Sequence, residues 1–181
     1  MGLPGKQRDV QRLVDENYVG LYRYAFRLAG SAADAEDLTQ EAFCKAQMHL
    51  DQLRDPARAK PWLFCILRNV YLHKVRAEKN HQYISLADMD DVPERPPGPL
   101  LPVDPESLQE ALNELPEGFR TPVILYYFED FSYRDIAEQM ELPLGTVMSR
   151  LARAKAHLRA RLVQPAAGVM AQNQRRANDE L

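Results

Sequence analysis

The chain has 181 residues, 45% of them hydrophobic, and a formal net charge of −3. This length allows one or two small domains with folded cores, and no apolar run is long enough to span a membrane. Cys44 and Cys65 are too few and too far apart for a disulfide framework or a zinc site, and no His pair has metal spacing; both cysteines are expected to be reduced, buried thiols.

The start, MGLPGKQRDVQRLVDEN, lacks the apolar core of a signal peptide, so a cytoplasmic protein is expected. From about Asp9 to Ala29, Val10, Leu13, Val14, Leu21, Tyr22, Ala25 and Leu28 recur at near-helical spacing. Gly30 is placed to end this first helix. Ser31 then caps a second, with Asp34 three positions on. Acids in a first turn suit the helix dipole, which accounts for Asp34 and Glu36. It accounts less well for Asp37, Gln40 and Glu41, which read as a polar acidic patch for a basic protein partner. Next comes a basic loop, DQLRDPARAKPW. A third helix is expected from Pro61, at its first position, to about Asn80, with Leu63, Ile66, Leu67 and Val70 as its apolar stripe. Arg68, Asn69, His73, Lys74 and Arg76 lie mostly on other faces. A basic helix beside a basic loop with aromatics can hold unpaired DNA, cations on phosphates and rings on bases. Taken singly, Trp62, Phe64 and Tyr71 read as core.

Six of the thirteen prolines fall between Pro93 and Pro105. That density forbids a helix and favours extended chain, so 83–104 reads as a linker. It is either an inert tether or an acidic strand for a positively charged channel. Beyond it, FSYRDIAEQMELPLGTVMSRLARAKAHL (131–158) reads as a helix-turn-helix. Ser132 and Asp135 form a capping-box variant, and Phe131 and Ile136 sit at the staple positions. Pro143 suits the first position of the second helix. In that helix Leu144, Val147, Leu151, Ala154 and Leu158 share one face. Met148, Ser149, Ala152 and Arg153 turn away from it, with Arg150 at the border. The N-terminal part of such a helix reaches base edges in a major groove. The net charge hides this pattern: 54–81 carries +5, 82–119 carries −8 and 141–162 carries +4. Two blocks able to neutralise phosphates flank one that cannot. The tail from Pro165 is polar and expected to be disordered.

At this point the chain resembles a bacterial sigma factor of the extracytoplasmic-function (ECF) type, over about residues 10–162. DAEDLTQEAFCKA (34–46) is similar to region 2.2, PWLFCILRNVYLHKVR (61–76) to regions 2.3 and 2.4, and the stretch from Leu115 to Arg159 to region 4. The resemblance implies an all-α fold of two small helical domains joined by a proline-rich linker: region 2 over 9–82, linker 83–104, region 4 over 105–163, tail 164–181. It implies a sigma factor that binds core RNA polymerase and directs promoter-specific initiation, needing no cofactor. Asp34, Asp37, Gln40 and Glu41 would dock on the clamp helices of the largest polymerase subunit, and region 4 would lie near the flap. The loop ending in Arg58, Lys60 and Trp62 would hold a flipped base of the −10 element. Arg68, Asn69, Lys74 and Arg76 would contact the −10 strand. Thr146, Met148, Ser149, Arg150 and Arg153 would read the −35 element as duplex. Met148 stands where many relatives carry Arg or Lys; the contact left open to it is with a thymine methyl group. The linker would enter the active-site cleft of the polymerase, and an anti-sigma factor would hold the protein inactive.

Two other classes compete. A one-component or response regulator would need a ligand or phosphoacceptor domain, and the N-terminal half shows no βα pattern. A nucleic-acid enzyme would need a carboxylate cluster, a Gly-rich phosphate loop or a nucleophile motif, none of which appears.

Overall fold

The computed structural model describes residues 4–77 and 103–163. The expected linker, apart from its last two residues, and the expected tail lie outside the described residues. Among the described residues there are seven α-helices: α1 Pro4–Ala29, α2 Ala32–Met48, α3 Ala59–Ala77, α4 Pro105–Glu114, α5 Glu117–Tyr127, α6 Tyr133–Met140 and α7 Leu144–Val163. Two short 3₁₀ turns, Leu50–Gln52 and Pro56–Arg58, connect α2 to α3.

Local signals place the helix ends. Gly30 ends α1 with φ +78, and its N–H donates to Phe26 O at 2.7 Å. Its lack of a side chain is needed twice, because a Cβ there would also lie 2.8 Å from Asn113 Nδ2. Ser31 caps α2, accepting from the Asp34 N–H at 3.1 Å. The third helix begins at Ala59 rather than Pro61. The 3₁₀ turn runs straight into it, and Pro61 is still within the first turn, where no intrahelical bond is lost.

In the N-terminal half, Leu21, Tyr24 and Leu28 of α1 pack with Leu38 and Ala42 of α2 and Leu63, Phe64 and Leu67 of α3, all buried. In the C-terminal half, Leu112, Leu115, Phe119, Val123, Ile124, Ile136, Val147, Leu151 and Ala154 do the same. The two cores are continuous. The Phe131 ring packs tilted against Phe64, with centroids 5.2 Å apart, and the Arg27 guanidinium lies 3.8 Å over the Phe128 ring. The last carbonyls of α1 lack intrahelical partners. Gln109 donates to Arg27 O at 3.2 Å and Arg120 to Leu28 O at 2.7 Å, so side chains of α4 and α5 finish a helix of the other half.

The expectation of two buried thiols is corrected. Cys44 is exposed and Cys65 only half-buried. On α2 the buried positions are Ala35, Leu38, Thr39, Ala42 and Ala46, and Cys44 falls on the opposite side of that stripe. No described helix is long and apolar enough to cross a membrane.

Candidate nucleic-acid interface

The helix-turn-helix is built from α6 and α7. Ser132 accepts from the Asp135 N–H, and Asp135 accepts from the Ser132 N–H, closing the capping box. Glu141 turns the chain in the left-handed region, at φ 54, and the Leu142 N–H donates to Ala137 O at 2.9 Å. Pro143 lies one residue before α7 rather than at its first position, and its carbonyl accepts from the Thr146 and Val147 N–H groups. Replacing Ser132 by alanine is expected to cost about 1 kcal/mol, read as a lowered denaturant midpoint at unchanged m-value.

On α7, Val147, Leu151 and Ala154 are buried, while Met148, Ser149, Ala152 and Arg153 are exposed. Thr146 is half-buried, and its carbonyl accepts from the Ser149 hydroxyl at 3.0 Å. Arg150, placed at the border from sequence, turns inward. Pro122 sits inside α5 and has no N–H to give Gly118 O, four residues back. Arg150 Nη1 donates to that carbonyl at 3.2 Å. A side chain at position 118 would crowd the guanidinium, with a Cβ at 3.2 Å from Nη1. Arg150 therefore braces α5 against α7, and of the residues expected to read duplex DNA, Met148, Ser149 and Arg153 face outward.

The residues assigned to single-stranded DNA lie in different settings. Asn69 and Arg76 are exposed on α3. Arg58, Lys60 and Arg68 each reach into the other half of the molecule. Arg58 Nη2 lies 2.8 Å from Glu138, Lys60 Nζ donates to Glu129 O at 2.7 Å, and Arg68 Nε lies 3.0 Å from Glu117. Trp62 and Tyr71 are half-buried against the core, and Phe64 is fully buried, as their single readings suggested. Glu129 itself is 3% exposed. Burial pushes its carboxyl up, against the pull of Lys60, Arg23 and Arg27.

On α2, Asp37, Gln40 and Glu41 are exposed and line a groove of about 550 Å³ with Cys44, Val70, His73 and Lys74. Asp34 is not equivalent to them. It lies 2.6 Å from Lys74 Nζ and accepts the Ser31 hydroxyl, and these bonds hold its carboxyl below the usual carboxylate range. The pair joins one residue expected to face the polymerase to one expected to face DNA, so it ties α2 to α3.

Residues 13–81 match the Sigma-70 region 2 family and residues 106–158 match Sigma-70, region 4. ECF RNA polymerase sigma factor SigL of Mycobacterium tuberculosis is 33% identical over 78% of this chain and 82% of its own length. The chain belongs to the ECF sigma factors. SigE of Mycolicibacterium smegmatis is 37% identical over 81% of this sigma factor, which spans 59% of that relative's length. Among solved structures, the sigma factor RpoE in complex with the anti-sigma factor NepR from Bartonella quintana superposes with a TM-score of 0.70. It is 27% identical, covering 87% of this chain and 99% of that one. CnrH in complex with the cytosolic domain of CnrY gives a TM-score of 0.64 at 25% identity, covering 88% and 91%.

The region 2 match thus falls on α1–α3 of this sigma factor and the region 4 match on α4–α7. Sequence reasoning missed the residues that join them: Gln109, Arg120, Glu117, Glu129 and Glu138. Only the inward turn of Arg150 had a local signal. Pro122 within an apolar helical run announces an unpaired carbonyl that some side chain must satisfy.

Proposed function

We propose that this sigma factor binds core RNA polymerase through Asp37, Gln40 and Glu41 and directs initiation at promoters with −10 and −35 elements. Region 2, over about 9–82, holds the opened −10 strand with Arg58, Lys60, Trp62, Arg68, Asn69, Lys74 and Arg76. Region 4, over 105–163, reads the −35 duplex with Met148, Ser149 and Arg153, supported by Thr146 and Arg150, and lies by the polymerase flap. Asp34 orders the polymerase-facing helix. The 83–104 segment is the acidic linker between them. An anti-sigma factor controls the protein in the cytoplasm, a reading supported by the likeness to RpoE, which was crystallised with NepR.

The observation that carries this reading is the separation of three faces on one chain. The acidic residues of α2 line one groove with Val70, His73 and Lys74, the basic loop enters the start of α3, and the exposed face of α7 belongs to the other half. The decisive experiment is transcription in vitro of genomic fragments by core polymerase with and without the protein, followed by start-site mapping. Discrete starts sharing two upstream elements are expected only with the protein present. Arg153→Ala should reduce output through the −35 element by about fivefold to a hundredfold, as for loss of a base-contacting Arg, with core affinity unchanged. Absence of any new start site would refute the proposal.

A further inference from the structure

We infer that the seam between region 2 and region 4 is an autoinhibitory latch, in which carboxylates of region 4 occupy cations that the promoter strand needs. The inference rests on the assignment of Arg58, Lys60 and Arg68 to the −10 strand. Each of these three cations meets region 4: Arg58 at Glu138 of α6, Lys60 at the Glu129 carbonyl with its carboxylate 3.8 Å away, and Arg68 at Glu117 of α5. A carboxylate and a phosphate make similar charge-assisted bonds with these groups, so the two compete for them. The loop Phe128–Phe131 seats the latch. Its two rings lie under Arg27 and on Phe64, and Glu129 between them is buried against region 2.

Geometry makes opening obligatory. The centres of a −10 and a −35 element are about 25 base pairs apart, or about 85 Å of duplex at about 3.4 Å per step. The α7 helix of 20 residues is only about 30 Å long. With α6 held on Arg58, the −35 readers at the start of α7 cannot lie 85 Å from α3. The number of residues between Ala77 and Pro105 is sufficient for this span, since at about 3.3 Å per residue a chain of that length reaches on the order of 90 Å.

The seam is also built to be left. The Gln139 side chain, 9% exposed, lines the cleft between α3 and α6 together with Cys65, Arg68 and Asn69. Neither its amide nitrogen nor its amide oxygen has a hydrogen-bond partner. An unpaired buried amide opposes closure. The Arg58–Glu138 pair, with side chains 50% and 68% exposed, adds little against it. The closed form therefore predominates but yields to charge screening or to a partner, and the closed fraction reduces apparent affinity for any partner that needs the open form.

The test compares the full chain with its Glu117→Gln, Glu138→Gln double variant, which removes two latch charges and leaves every proposed DNA and polymerase contact in place. Spin labels on native Cys44 and on Lys155→Cys, in a Cys65→Ser background, report the distance between halves. The parent should give one short distance at low salt, lengthening as ionic strength rises. The variant should give longer distances at low salt and bind core polymerase about three- to tenfold more tightly, as expected from losing two modest ion pairs. A long, broad distribution in the parent at low salt would overturn the latch. So would a variant that opens without any gain in core affinity while the parent binds core. If distances lengthen as expected but neither protein binds core, the closed form stands and the polymerase reading falls.

Discussion

Replacing Asp37 and Glu41 together by alanine is expected to weaken core polymerase binding by roughly 2 kcal/mol, about thirtyfold. The two residues are four apart on α2, so they share a face, and both are exposed beside the groove that also holds Gln40. Their loss does little to the fold. Glu41 pairs only with Lys45 at 2.9 Å, with side chains 54% and 39% exposed, and such pairs contribute about 0.3–0.5 kcal/mol. Alanine is the best helix former, which offsets part of that. The thermal midpoint should therefore stay put while core affinity, measured by fluorescence anisotropy at fixed salt, falls. Raising the salt should shrink the difference between the proteins, because the contact is largely electrostatic. An unchanged affinity at low salt would remove α2 from the polymerase interface. The same loss from Asp34→Ala alone, with no loss of stability, would contradict the separate role given to Asp34 by its bonds to Lys74 and Ser31.

Phe64→Ala should destabilise the protein by about 3–5 kcal/mol, the usual cost of emptying a buried Phe site. Phe64 is 1% exposed and lies between two rings, Tyr24 at 4.9 Å and Phe131 at 5.2 Å. Aromatic pairs in such geometries add about 0.5–1.5 kcal/mol beyond the area they bury. The loss falls on both halves at once, since Tyr24 belongs to α1 and Phe131 to the start of the helix-turn-helix. Urea unfolding followed by the fluorescence of Trp62, the sole tryptophan, measures the cost. Phe64→Leu, which keeps most of the volume, should cost much less. A cost below about 1 kcal/mol for Phe64→Ala would be at odds with so little relaxation being available at a two-sided site.

Much of the local structure was legible in the residues. Gly30, Ser31, Ser132 and Asp135 act within a few positions of themselves, and each appears in the role its spacing suggested. Boundaries were less so: Pro61 and Pro143 each sit near, and not at, the first position of their helices, because a neighbouring turn or a carbonyl bond moves the end by a residue or two. Cys44 was misread as buried because reduced thiols usually are, while its place opposite the Leu38–Ala42 stripe puts it in solvent. Arg150 was placed at a border that helical rotation alone could not resolve. Pro122 resolved it by freeing Gly118 O.

Residue patterns alone predicted an all-α fold, a capped helix-turn-helix, a basic aromatic three-helix unit and charge sorted into blocks. Those properties depend on periodicity, caps and composition, which act over a few residues. Only the tertiary structure decided what the charges do. Arg58 and Glu138, Lys60 and Glu129, and Arg68 and Glu117 are far apart in sequence, and no spacing announces the pairs. Packing Phe131 on Phe64 brings all three pairs together. The physical reason is range: a cap or an apolar stripe is specified by its own neighbours, whereas an ion pair across a seam exists only once burial elsewhere has fixed how the two halves meet.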